Sequence, residues 1–150
     1  NNLIPDSDTA SVDIDGGGGT TAHPAIDAVV TTNVLQGHVG ESVLATLRAT
    51  NTGDTQFVSV QPFSTICSDA PTGPAGDTNS NGRLDPGETW TYSCHHLLSV
   101  ADGQSVQLSA SVSAQTANGT TVSDADSATV QILHPAIQVR TRRARKPTPN

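Results

Sequence analysis

Polar and apolar residues alternate with a period of two along most of this chain, and the three-to-four spacing of an amphipathic helix is hard to find. The run "SVLATLRAT" puts Val43, Ala45, Leu47 and Ala49 on one face, and "TWTYSC" does the same with Trp90, Tyr92 and Cys94. In "VQLSASVSA" the series is Val106, Leu108, Ala110, Val112 and Ala114, and in "SATVQI" it is Ala128, Val130 and Ile132. Successive side chains of a strand point to opposite faces, so each run reads as a strand with one buried face. Turn signals separate the runs: Asn51-Thr52-Gly53-Asp54, the Pro/Gly run 71–76, Asp102-Gly103 and Asn118-Gly119. About seven short strands with this spacing predict an all-β fold, an Ig-like antiparallel β-sandwich.

The ends of the chain repeat each other. "DTASVDI" (8–14) aligns with "DSATVQI" (126–132), and "HPAI" occurs at 23–26 and again at 134–137. The order in both copies is last strand, joint, first strand. This predicts a window on a tandem array. Residues 1–15 would be the last strand of a preceding repeat, or a strand donated to a neighbour. Residues 16–23 form a Gly-rich linker, 24–133 one Ig-like domain, and 134–150 the start of the next repeat or a basic tail. The chain opens on Asn1-Asn2 with no Met, which reads as a processed or excised piece.

Composition sharpens this picture. The aromatics are Phe57, Phe63, Trp90 and Tyr92, and Met is absent. A core of Val, Leu, Ile and Ala buries little area per residue, so a crosslink or a metal would reinforce it. The net charge of −7 is uneven: Arg140, Arg142, Arg143, Arg145 and Lys146 crowd the C-terminus, leaving Arg48 and Arg83 against all fourteen acids. An acidic body repels nucleic acid and anionic lipid, and no apolar run is long enough to span a bilayer, so neither nucleic acid binding nor membrane insertion is expected.

The most specific chemistry lies in "GDTNSNGRLDPGETW" (76–90). Residues 77–88 read D-x-N-x-N-G-x-L-D-x-x-E, the ligand spacing of an EF-hand calcium loop. Side chains at positions 1, 3, 5 and 12 would be Asp77, Asn79, Asn81 and Glu88. Arg83 would offer its carbonyl, and Asp85 would act at position 9. Gly82 would permit the sharp turn and Leu84 would be the apolar anchor. With three anionic ligand side chains, Ca2+ affinity is expected roughly in the 10⁻⁴–10⁻³ M range of extracellular modules. A polar Gly/Asn loop without metal is the alternative. Cys67 and Cys94 bracket this loop. As a disulfide they would stiffen it at a gain of about 3–4 kcal/mol, with free thiols the alternative. One cysteine pair, a calcium loop and a single Lys favour an extracellular or cell-surface setting. Asn118-Gly119-Thr120 is a glycosylation sequon at a predicted hairpin tip.

At "VGESVLATLRATNTGD", "GDTNSNGRLDPGETWTYSC" and "VSDADSATVQI" the chain resembles the tandem Ig-like repeat of unknown function in large bacterial and archaeal surface proteins, akin to cell-adhesion-related Ig-like modules. The resemblance covers about 24–133. It implies a β-sandwich in a secreted or wall-associated structural or adhesive protein. Members often lack the cysteine pair or the full calcium ligand set, so those features rest on this sequence alone.

Enzyme readings fare poorly. Five histidines (His23, His38, His95, His96 and His134) invite a metal or triad reading, but His23 and His134 lie in the repeated joint, where a structural role is expected. His95 and His96, placed after a strand, would point to opposite faces. No nucleophile elbow, zinc-protease or phosphate-loop motif occurs, and the only Lys lies in the tail, against an isopeptide crosslink. No catalysis is expected. The first expectation is a structural repeat or subunit of a fibre or stalk, meeting copies of itself or neighbouring repeats through residues 1–22 and 134–150. The alternative is an adhesin or carbohydrate-binding accessory module. A third reading lends residues 3–14 to a neighbour as a donated strand, against which stands the domain's own equivalent strand at 122–133.

Overall fold

The computed structural model describes residues 21–135 and 145–149. Residues 1–15, expected as the last strand of a preceding repeat or a donated strand, most of the linker and most of the 134–150 segment lie outside the described residues.

Among the described residues, eight strands form two four-stranded sheets. In chain order they are β1 (Ile26–Thr32), β2 (Gln36–His38), β3 (Ser42–Asn51), β4 (Phe57–Ser64), β5 (Thr72–Ala75), β6 (Thr89–Leu97), β7 (Ser105–Thr116) and β8 (Thr121–Leu133), with a 3-10 turn at Val100–Asp102. One sheet has the order β1-β3-β6-β5 and the other β2-β8-β7-β4. These orders correspond to the ABED and CFG sheets of an Ig sandwich. The first strand is divided: β1 pairs antiparallel with β3, and after a crossover β2 pairs parallel with β8. Asn33 secures the crossover, since its backbone N–H and carboxamide oxygen bond Leu44 O and Leu44 N.

The period-two pattern maps onto the interior. Val43, Ala45, Leu47 and Ala49 of β3 and Trp90, Tyr92 and Cys94 of β6 are buried. They face Val106, Leu108, Val112 and Ala114 of β7 and Val130 and Ile132 of β8 across the sandwich. Among the described residues no helix is long and apolar enough to cross a membrane.

Two local features depart from the expected pattern. The Pro/Gly run 71–76, read as a turn, contains β5, an edge strand paired with β6 through Thr72↔Ser93 and Ala75↔Thr91. Pro lacks a ladder donor but is tolerated at an edge. Gly73 (φ 132°) has room because it lacks a Cβ; one added there would lie 2.7 Å from Thr91 O. The His95-His96 pair lies inside β6 rather than after it.

The inward face of β8 changes character along its length. Its last turns carry Val130 and Ile132, but the equivalent positions nearer Thr121 carry Asp124 and Asp126. Their carboxylates accept the N–H groups of Ala28 (2.7 Å) and Val30 (2.8 Å). The two bonds from the Val30 and Ser127 N–H groups hold the Asp126 carboxyl below its ordinary range. β1 is an edge strand, and these carboxylates satisfy donors that would otherwise invite a foreign strand.

Candidate metal-binding loop

The sandwich has an entry end, where β1 begins, and an exit end, where β8 finishes. The 77–88 loop lies at the entry end because it links β5 to the start of β6. Its middle is tied to the core. Leu84 is fully buried and exchanges two 3.0 Å backbone bonds with Phe57, also fully buried. Asn51, 1% exposed, joins three segments: its Nδ2 donates to Thr55 O and Leu84 O (2.9 Å each), and its Oδ1 accepts from Gly53 N (3.0 Å). Its backbone also bonds Glu88 O (3.0 Å) and Gly87 N (2.8 Å). Sequence reading missed Asn51, whose only local signal was membership of a turn-forming Asn-Thr-Gly-Asp run.

Around this anchor the loop closes on itself. Asp77 accepts from Asn81 N (3.1 Å) and Gly82 N (2.8 Å). Asn79 Oδ1 accepts from Asn81 N (3.1 Å), and Asn81 Oδ1 accepts from Arg83 N (2.8 Å). Such side-chain bonds to backbone two to five residues ahead tighten Asx-rich turns. Ser80 (φ 57°) and Gly82 (φ 71°) are left-handed, which turns the chain sharply between the Asn residues. Gly bears that conformation without cost.

The ligand positions are partly gathered. Asn79 Nδ2 and Asn81 Nδ2 both donate to Asp85 Oδ2 at 2.8 Å, so positions 3, 5 and 9 meet at one carboxylate oxygen. Glu88 reaches back from position 12, accepting from Thr78 N (2.7 Å), Thr78 Oγ1 (3.0 Å) and Asp85 N (3.1 Å). Asp77, Asp85 and Glu88 do not converge on one point, and no group of three or more His, Cys, Asp or Glu able to hold a metal occurs among the described residues. The donor set is nonetheless all oxygen, as a hard cation requires.

The Cys67–Cys94 disulfide is formed, with its Cα atoms 5.8 Å apart. It ties the segment before β5 to the second half of β6. Asn118 sits exposed at the β7–β8 tip, where its Oδ1 accepts from Thr120 N (3.3 Å) and Thr116 Oγ1.

The histidines are dispersed. His95 Nδ1 lies 3.0 Å from Asp69 Oδ2, whereas His96 turns to Ile66 O (2.5 Å) and Asp102 Oδ2 (3.2 Å). His23 pairs with Asp54 and His38 with Glu41. Three of these aspartates titrate below the ordinary range. For Asp54 and Asp69 the main cause is a bond from the backbone N–H of His23 and His95 respectively. Desolvation pushes Asp102 upward, but bonds from Ser99 and His96 outweigh it. Burial drives the Tyr92 hydroxyl up to about 12. Neither Tyr92 Oη nor Trp90 Nε1 finds a partner among the described residues.

No family model matches this chain, and no similar curated protein was found. Among solved structures, it is similar to the crystal structure of Spo0M, a sporulation control protein from Bacillus subtilis, at 14% identity and a TM-score of 0.42. That match covers 74% of this chain and 50% of Spo0M, so the chain spans about half the length of that neighbour.

Proposed function

We propose that the chain is a structural Ig-like repeat or subunit of an extracellular fibre or cell-surface stalk, assembling end to end and stiffened by calcium and the disulfide. One correspondence carries this reading. Asp6, Asp8, Ala10, Val12 and Ile14 match Asp124, Asp126, Ala128, Val130 and Ile132 of β8. In β8 these are the residues on the inward face, capping β1 or filling the core. The alternate positions face outward, and there Asp13 stands opposite Gln131. A segment that retains the inward-facing set of a last strand is suited to be the last strand of another unit. Because β8 already fills that slot here, residues 3–14 would serve a preceding unit rather than this one.

Calcium would replace the two amide donors beside Asp85. Asp77, Asn79, Asn81, the Arg83 carbonyl, Asp85 and Glu88 would hold it, and the ion would supply electrostatic cross-linking to a loop with one apolar anchor. Contacts between units would involve residues 1–22 and 134–150, with the cationic C-terminus facing acidic bodies. Charge attraction of this kind orients contact and weakens with salt. The resemblance to tandem surface-protein repeats points the same way. The adhesin or carbohydrate-binding alternative needs an exposed aromatic platform, and Trp90 and Tyr92 are core residues.

Intact mass and electron microscopy of native material test the proposal. The expected result is a mass well above the 15.4 kDa of this chain, or fibres with a repeat of about 40 Å set by strand rise. A native particle of single-chain mass that forms no fibre would refute it.

A further inference from the structure

The two copies of the His-Pro joint show opposite sides of one arrangement. At the first copy the histidine faces forward: the His23 backbone N–H donates to Asp54 Oδ1 (2.7 Å), and its Nδ1 lies 3.4 Å from Asp54 Oδ2. At the second copy it faces backward: His134 Nε2 lies 3.1 Å from the Gly103 carbonyl oxygen. The contacts use different ring nitrogens, so one imidazole can make both.

The joint is also short. Only His134, Pro135 and Ala136 separate Leu133, the end of β8, from Ile137, the counterpart of the Ile26 that opens β1. Four Cα steps reach at most about 14 Å. A unit that begins at Ile137 must therefore place its entry end against the exit end of this one. Val100 (79% exposed) stands in the 3-10 turn between β6 and β7 at that exit end. The earlier joint differs, because Asp15–Ala22 intervene before His23.

We propose that His134 brackets consecutive units: Gly103 of its own sandwich holds Nε2, the aspartate at position 54 of the following unit holds its backbone N–H and Nδ1, and Val100 is covered at the junction. The inference rests on the tandem-array reading and assigns the contact that fixes neighbours in line. A carbonyl and a carboxylate are both acceptors. Neutral imidazole has a single N–H to offer, and imidazolium has two. The bracket is complete when the histidine is charged and loses one ring bond when it is neutral.

Among the described residues, other titratable groups lie near this position. Asp102, in the 3-10 turn beside Gly103, is engaged by Ser99 and His96. His38, opposite Leu133 in the β2–β8 register, pairs with Glu41. His38 is a second imidazole near the joint, so the test must isolate the joint histidine.

A two-unit chain provides the test: residues 1–133 followed directly by a second copy starting at His23, so that Leu133 again precedes His-Pro-Ala-Ile. Residual dipolar couplings report whether the units share one orientation. Between about pH 5.5 and pH 8 the aligned population should fall roughly threefold to tenfold, the equivalent of one net hydrogen bond. Replacing the joint histidine by Phe, or Asp54 by Ala in the second copy alone, should abolish that pH response. Alignment indifferent to pH, a response that survives the Phe variant, or independent tumbling at both pH values would each overturn the bracket. The array reading would stand after any of these, because it falls only on the mass and imaging of native material.

Discussion

Asn51→Ala isolates the most concentrated set of bonds in the entry end. The side chain is 1% exposed and makes three hydrogen bonds of 2.9–3.0 Å, to Thr55 O, Leu84 O and Gly53 N. Two of those partners keep a second bond after truncation: Leu84 O still accepts from Phe57 N, and Gly53 N still donates to Ala25 O. Thr55 O loses its side-chain partner. Two net losses of about 1 kcal/mol each, plus the larger cost of stranding one acceptor, sum to about 3–4 kcal/mol. For a sandwich of this size that corresponds to a fall in Tm of roughly 10–20 °C. Thermal melting followed by near-ultraviolet circular dichroism, with Trp90 and Tyr92 as the buried reporters, gives the measurement. Asn51→Asp keeps the acceptor but sets a carboxylate against two carbonyls, so it should melt at least as low at neutral pH. An Asn51→Ala protein melting within about 2 °C of the wild type would refute the view that this side chain holds the loops to the core.

Three further outcomes are expected. Millimolar calcium should raise Tm and chelator should lower it, and Asp77→Ala, which removes the acceptor for Asn81 N and Gly82 N, should abolish the calcium response; isothermal titration checks the same point. Reducing Cys67–Cys94 should cost about 3–4 kcal/mol on chain-entropy grounds, read as a lower midpoint in urea with no loss of β-sheet signal in water. Asp54, Asp69, Asp102 and Asp126 all titrate below the ordinary carboxylate value. Their contribution is present above the unfolded pKa of about 3.9 and is lost as pH falls through the lower folded values, so Tm should hold from pH 7 to about 5 and drop below about 4; a Tm that rises on acidification below 4 would contradict the assignment.

Period-two alternation determined the all-β class, the buried faces of β3, β6, β7 and β8, and the sandwich, because side-chain direction in a strand depends only on parity along the chain. The cysteine pair and the Leu84 anchor were legible for a similar reason: each is a residue type with one strong preference, set in a pattern that leaves one partner or one side. What parity cannot carry is which chain lies beyond an edge. The Pro/Gly run 71–76 reads locally as a turn, yet it becomes β5 because β6 offers an open edge and Gly73 has no side chain to strike Thr91. Asp124 and Asp126 stand outside the apolar series of Ala128, Val130 and Ile132, and the β1 N–H groups, nearly one hundred residues away, turn them into caps. Asn51 looked like a turn residue and was made a buried hub by loops that only the closed sandwich brings together. Local chemistry set the faces; partners distant in sequence decided what each edge, turn and polar group was for.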